Sequence, residues 1–206
     1  MDKKTEIGEN AVIYIHGKGG NAGEAAHYRS LFPGSDVKGF DYKAQTPWEA
    51  EEEFSSFFDE IYKEYGQAVI VANSIGAWFT MCAGIGEKIS RAFFISPVVD
   101  MNLLIDGMLK QAGITEAELR SKGSFITVSG ELLTWKFLRY VRDHPVSWHV
   151  PTEILYGSLD CLTSFETISS FARRINAGLT VMENGEHWFH TDCQMSFVDD
   201  WIRKNR

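Results

Sequence analysis

Three residues far apart in the chain have the types needed to open an acyl bond. Ser74 lies within Val69-Ile70-Val71-Ala72-Asn73-Ser74-Ile75-Gly76-Ala77-Trp78, where an apolar β-branched run meets a serine and then small residues that open a helical pattern. The stretch reads as strand, sharp turn and helix, with the serine hydroxyl pointing out of the sheet from a strained tip. Such a tip tolerates only very small residues two places to either side, and Ala72 and Gly76 fill those places. The usual pattern is G-x-S-x-G, so Ala72 departs from it by one methyl group. Taken alone, the stretch also fits a buried strand followed by a serine N-cap. Asp160 closes Gly157-Ser158-Leu159-Asp160 and His187 closes Glu183-Asn184-Gly185-Glu186-His187, each directly after an apolar run. A serine hydroxyl is a poor nucleophile at neutral pH and needs a neutral imidazole to take its proton. A carboxylate can hold that imidazole in the right tautomer.

The elements that must position these residues follow from the apolar patterning. Ala11–Ile15 is a continuous apolar run, the mark of a strand buried on both faces, and it ends in the glycine-rich His16-Gly17-Lys18-Gly19-Gly20-Asn21. A helix is expected from Glu24 to Leu31, stopped by Pro33-Gly34, then a weaker outer strand over 36–40. Thr46-Pro47-Trp48-Glu49 is a helix start with N-cap, proline and capping glutamate, and that helix should reach Tyr65 and stop at Gly66. After the serine turn come a helix from Ile75 to about Ile85 and a strand at Ala92–Ile95. From Pro97 to Val150 the alternation breaks into a helix-rich, aromatic insertion, expected to be a lid. Its helices run from Met101 to Gln111, from the capping box Thr115-Glu116-Ala117-Glu118, and from about Leu132 to Asp143. Alternation resumes with a strand at Thr152–Tyr156, a helix opened by Thr163-Ser164-Phe165-Glu166, a strand at Leu179–Met182 and a last helix from about Asp192. Strands alternating with helices predict an α/β fold with a mainly parallel sheet of about six strands, helices on both faces, in one domain over 1–206. Ligands bind at the carboxyl edge of such sheets, so the loops bearing Ser74, Asp160 and His187 should converge there.

The Ser…Asp…His order, the serine turn, the His16-Gly17-Lys18-Gly19 loop and the mid-chain helical insertion together resemble an α/β-hydrolase-fold enzyme across nearly the whole chain outside the insertion. The resemblance implies Ser74 as nucleophile, His187 as base and Asp160 as its orienting carboxylate. It places the oxyanion donors at the backbone N–H groups of Lys18 and Ile75. Placing the base directly after the last strand favours His187 over His190, one helical turn away, and Trp188, Phe125 and Trp135 are candidates for contacting an apolar acyl or aryl group. Most lid aromatics are expected in its core. Carboxylesterase is the default activity, with thioester or peptide hydrolysis open because all pass through similar tetrahedral intermediates. Two other classes remain. Gly17-Lys18-Gly19-Gly20-Asn21-Ala22 fits G-x-G-x-x-[GA], with Asp36 or Asp41 near the distance of a ribose-binding acid, so a dinucleotide-binding oxidoreductase is one. A catalytically silent ligand-binding relative is the other.

Composition narrows the partners. The 206 residues are 44% hydrophobic with a net charge of -8, enough to bury one sizeable core and without the basic stripe that nucleic acid or anionic membranes need. Cys82, Cys161 and Cys193 are odd in number and widely spaced, which argues against a disulfide framework or zinc knuckle. His187 and His190 could pair on a metal, but no carboxylate cluster stands at ligand spacing, so no metal or organic cofactor is expected. His16 reads as a structural residue of its loop, and His144 and His149 as solvent-facing. No apolar leader follows Met1, and no run approaches the roughly 18 apolar residues that span a bilayer, so a cytoplasmic protein acting on a small acyl substrate is expected.

Overall fold

The computed structural model describes residues 10–128 and 130–206. Six strands form one sheet: β1 (Asn10–Ile15), β2 (Ser35–Phe40), β3 (Ala68–Asn73), β4 (Ile89–Ile95), β7 (Thr152–Gly157) and β8 (Gly178–Met182). Their order is β2-β1-β3-β4-β7-β8, and every neighbouring pair is parallel. Two further strands, β5 (Ser124–Ile126) and β6 (Leu132–Thr134), pair antiparallel in the insertion. The helices are α1 (Ala25–Tyr28), α2 (Pro47–Tyr65), α3 (Ile75–Cys82), α4 (Met101–Ala112), α5 (Glu116–Lys122), α6 (Trp135–Asp143), α7 (Phe165–Ile175) and α8 (Asp192–Asn205).

Strand alternation sends side chains to two faces. Ile13, Ile15, Ile70, Ala72, Phe94 and Ile154 join one core with the buried faces of α2, α3, α4 and α7. Val12, Tyr14, Val71, Phe93, Ile95 and Leu155 join the other with α1 and α8. On α2 the buried Ala50, Phe54, Phe58 and Ile61 recur at helical spacing, and burying each phenylalanine contributes roughly 1.5–3 kcal/mol against the entropy of ordering it. Thr46 and Glu49 form the reciprocal capping box that starts this helix, and Gly66 ends it at φ 77°.

Four expectations are corrected. The segment after the glycine-rich loop is a four-residue α-helix between two 3-10 turns, because Asn21 caps the first turn and Phe32-Pro33-Gly34 ends the run. The helix after Ser74 stops at Cys82, since Gly84 takes φ 67° and a 3-10 turn at Gly86–Lys88 leads into β4. Residues Leu132–Thr134 are extended, and α6 starts at Trp135 with Thr134 as N-cap, so the 97–150 insertion holds a β-hairpin among its three helices. His190 lies in the loop before α8, whose N-cap is Thr191, so it and His187 do not share a helix. No helix among the described residues is long and apolar enough to cross a membrane.

Candidate active site

The chain leaves β1 toward β2 on one side and returns to β3 on the other, so the strand order reverses between β1 and β3. A crevice opens outside the carboxyl ends at such a reversal. Ser74 follows β3 at that point. Its backbone takes φ 49° and ψ -119°, a left-handed-side conformation that costs a non-glycine residue about 1–3 kcal/mol. The side chain makes no capping bond to α3, which removes the N-cap alternative. The turn is held from outside. The Ser74 N–H donates to the Ile95 carbonyl (3.0 Å), and the Val98 N–H donates to the Ser74 carbonyl (3.1 Å). A side chain at Gly76 would put its Cβ 2.4 Å from the His16 carbonyl oxygen, so only glycine lets α3 start this close to the end of β1. Ala72, paired with Ile15 in register, is fully buried.

Ser74 Oγ lies 2.8 Å from His187 Nε2, and His187 Nδ1 lies 2.7 Å from Asp160 Oδ2. The imidazole side chain is 15% exposed and the Asp160 side chain 0%. Asp160 Oδ1 also accepts from the N–H groups of Leu162 (2.8 Å) and Thr163 (3.1 Å). Burial pushes the Asp160 carboxyl upward, but its bond to His187, the charge it shares with that ring and the two backbone donors together hold it below the usual carboxylate range. It is therefore an ionised acceptor at neutral pH, and the ring proton belongs on Nδ1. That leaves Nε2 free to accept from the serine hydroxyl. Both ring nitrogens of His187 are thereby engaged. His190 instead directs Nδ1 to the Trp188 carbonyl (2.6 Å), and among the described residues no group of three or more His, Cys, Asp or Glu could hold a metal ion.

The loops bearing Asp160 and His187 are locked together by contacts the sequence reading missed. A Cβ at Gly157 would lie 2.4 Å from the Gly185 carbonyl oxygen. The Leu159 N–H donates to that oxygen (2.8 Å), the Ser158 N–H donates to the Met182 carbonyl (3.0 Å), and the Asn184 N–H donates to Ser158 Oγ (2.8 Å). A glycine at the end of one strand and another three residues past the end of its neighbour were the available signals.

The loop after β1 closes the crevice from the other side. A Cβ at Gly17 would stand 3.2 Å from Ser74 Cβ, so this backbone rests on the turn, with Lys18 the next residue. Ile75 is the first residue of α3, where a helix leaves its N–H without an intrahelical partner. His16 donates from Nδ1 to the Gly17 carbonyl (2.8 Å), stacks on Tyr42 at 4.4 Å and accepts the Tyr42 hydroxyl at its own carbonyl (2.8 Å). The Lys18 ammonium pairs with Glu131, which brings the tip of the β5-β6 hairpin to this loop. The dinucleotide pattern finds no long helix here: α1 has four residues. Asp36 is bonded to Tyr65 and Lys38, and Asp41 to Lys43.

Trp188, beside His187, is 71% exposed and stacks on His190 at 4.4 Å. Phe125 and Trp135 are half-buried and pack against the main core, with the Arg120 guanidinium 5.8 Å from the Trp135 ring. Other exposed apolar side chains lie in the same loops and hairpin: Leu159, Leu162 and Phe165 around Asp160, and Ile126, Val128 and Leu132 on the hairpin. Sequence periodicity does not reveal them, because an exposed leucine in a loop has no pattern to violate.

No family model matches the chain, and no curated protein does. Solved structures resemble it over nearly its whole length. Est1E from Butyrivibrio proteoclasticus superposes with a TM-score of 0.75 at 16% identity, covering 98% of this chain and 89% of that one. Mouse alpha/beta hydrolase domain-containing protein 10 gives 0.71 at 19% identity, covering 100% and 93%. The thioesterase domain from the curacin biosynthetic pathway gives 0.57 at 14% identity, covering 94% and 91%. With a parallel sheet that reverses at β1 and β3, a strained serine at the reversal and this likeness from end to end, the protein has the α/β-hydrolase fold.

Proposed function

We propose that the chain is a serine hydrolase that cleaves a carboxylic ester, or a related acyl bond, through an acyl-enzyme intermediate. The observation that carries this reading is the unbroken line from Ser74 Oγ through His187 to the buried Asp160 carboxylate, at 2.8 and 2.7 Å. In this reading Ser74 Oγ attacks the carbonyl carbon as its proton passes to His187 Nε2. Asp160 stabilises the imidazolium that forms, and His187 returns the proton to the leaving oxygen. Water then repeats the sequence and releases the acid. The N–H groups of Lys18 and Ile75 are assigned to the oxyanion. The proximity of Gly17 to Ser74 and the free first-turn donor of α3 support that assignment. We assign the insertion the role of a lid, supported by the Lys18 to Glu131 pair.

The exposed apolar side chains of the Asp160 loop, the hairpin and Trp188, which follows the base directly in the chain, favour a substrate with an apolar acyl or aryl part. Phe125 and Trp135 keep a secondary place in this proposal, since both are committed to core packing. An esterase domain from Rhodothermus marinus and a thioesterase domain among the similar structures support the hydrolase class, and one Est1E structure has ferulic acid bound.

The test is a panel of p-nitrophenyl esters from acetyl to decanoyl, with a hydroxycinnamate ester and an acyl thioester beside them. A fluorophosphonate probe then locates the nucleophile by mass spectrometry. Labelling at Ser74, with turnover lost in both Ser74→Ala and His187→Ala, supports the reading. Full turnover in Ser74→Ala overturns it, and loss in His190→Ala with His187→Ala active reassigns the base.

A further inference from the structure

Beneath the serine turn, on the face of the sheet covered by α1 and α8, lies a polar chain that the reaction scheme does not use. The Asn73 amide Nδ2 donates to the Tyr14 hydroxyl (3.1 Å), and that hydroxyl donates to Glu24 Oε2 (2.5 Å). The other carboxylate oxygen, Oε1, accepts the Asn21 N–H (3.2 Å). Tyr14 is 1% exposed and stacks on Tyr28 at 5.0 Å, so its ring has no freedom to swing away. A carboxylate can only accept, so Glu24 accepts the phenolic O–H and turns the phenolic lone pairs toward Asn73. Each member thus sets the direction of the next.

The ends of this chain are the two backbone segments whose separation matters most for acyl transfer. Asn73 is bonded directly to Ser74, and the loop after β1 folds over Glu24. A Cβ at Gly20 would lie 3.0 Å from both carboxylate oxygens, and one at Gly17 would lie 3.4 Å from the Asn73 carbonyl oxygen. Burial pushes the Tyr14 hydroxyl well above the usual phenol range, reinforced by its neighbour Tyr28 and by Glu24, so it stays a donor across the working pH range.

We infer that Glu24, Tyr14 and Asn73 form a positioning relay that holds the nucleophile turn at a set distance from the loop carrying the Lys18 N–H. This inference rests on the serine-hydrolase reading and adds three residues that never touch substrate. Movement of about 1 Å between nucleophile and oxyanion donor lowers rates on the order of 100-fold. Removing the phenolic oxygen should therefore act on kcat rather than on binding.

The experiment measures kcat and KM with a short-chain p-nitrophenyl ester, normalised to active sites titrated with a fluorophosphonate, together with thermal melting. Tyr14→Phe and Glu24→Ala should each lower kcat about 10- to 100-fold with KM within about threefold, and the double variant should be little worse than either. Asn73→Ala breaks the relay at its half-buried end, beside Ser74, and leaves the Tyr14 ring and Glu24 in place, so it should do the same. Glu24→Gln keeps one carbonyl oxygen to accept the phenolic O–H but sets its NH2 against the Asn21 N–H, so its kcat should fall between those of wild type and Glu24→Ala. A merely structural chain would lower the melting temperature and leave kcat per titrated site unchanged; that result, or an Asn73→Ala enzyme with wild-type kcat, overturns the relay. If the wild-type chain neither hydrolyses the panel nor labels at Ser74, the underlying reading fails, and the relay falls with it.

Discussion

Gly157→Ala adds one methyl group at the place where the Asp160 and His187 loops touch. The new Cβ would stand 2.4 Å from the Gly185 carbonyl oxygen, 2.5 Å from its carbon and 2.8 Å from the Glu186 oxygen, against an ordinary contact of 3.4 Å. All three atoms are backbone, so no side chain can rotate away, and the loops must part by about 1 Å. The Leu159 N–H bond to the Gly185 oxygen lies in the path of that movement, and Asp160 is the next residue along. Opening the 2.7 Å bond between His187 Nδ1 and Asp160 Oδ2 by that distance takes it beyond hydrogen-bonding range. We expect kcat to fall on the order of 100-fold and stability by about 1–3 kcal/mol. The assay is ester turnover per titrated active site with a parallel thermal melt. Gly107→Ala, in α4 with nothing within 4 Å of the added carbon, is the control and should keep wild-type turnover. A Gly157→Ala enzyme with turnover within twofold of wild type and an unshifted melt would refute the close-packing argument.

Asp160→Asn should lower kcat roughly 10⁴-fold, because an amide donor facing His187 Nδ1 forces the proton onto Nε2, where it meets Ser74; a loss under tenfold in ester turnover would contradict this. The folded-state Asp160 carboxyl titrates below its ordinary value, so its contribution to stability is complete above pH 3.8 and lost as pH falls through the folded pKa. Melting of the wild type should accordingly drop faster below pH 3.8 than that of Asp160→Asn. Burial pushes the Cys82 thiol up to about 12, so at pH 8 iodoacetamide should modify the exposed Cys161 and Cys193 and spare Cys82, as read by peptide mass spectrometry. Trp188→Ala should raise KM for aryl and long-chain esters several-fold and leave the acetyl ester nearly unchanged in the same assay.

The elements were legible in the chain because local chemistry specifies them. Thr46-Pro47 with Glu49 carries its own helix-start signal in an N-cap, an N1 proline and a reciprocal glutamate, and a run such as Ala11–Ile15, apolar at every position, is stable as a strand only with cover on both faces. The alternation of such units predicts a parallel sheet of six strands, and the sheet has six. The errors fell where local signals are weak or compete. Leu132-Leu133-Thr134 has no pattern that separates a helical turn from a short strand, and its pairing with Ser124–Ile126 is set by a partner across a turn. The sequence also supplied Ser74, Asp160 and His187 as residue types placed after strands. Only the fold decides that His187 rather than His190 lies 2.8 Å from Ser74 Oγ, since that depends on which way the loop leaves β8 and on the backbone contact of Gly157 with Gly185. The relay of Asn73, Tyr14 and Glu24 belongs to the tertiary structure altogether. Hydrogen bonds between residues ten and fifty-nine positions apart leave no periodicity in the chain: the Tyr14–Glu24 bond depends on how the loop after β1 folds back, and the Asn73–Tyr14 bond on parallel pairing that sets β1 beside β3 in one register.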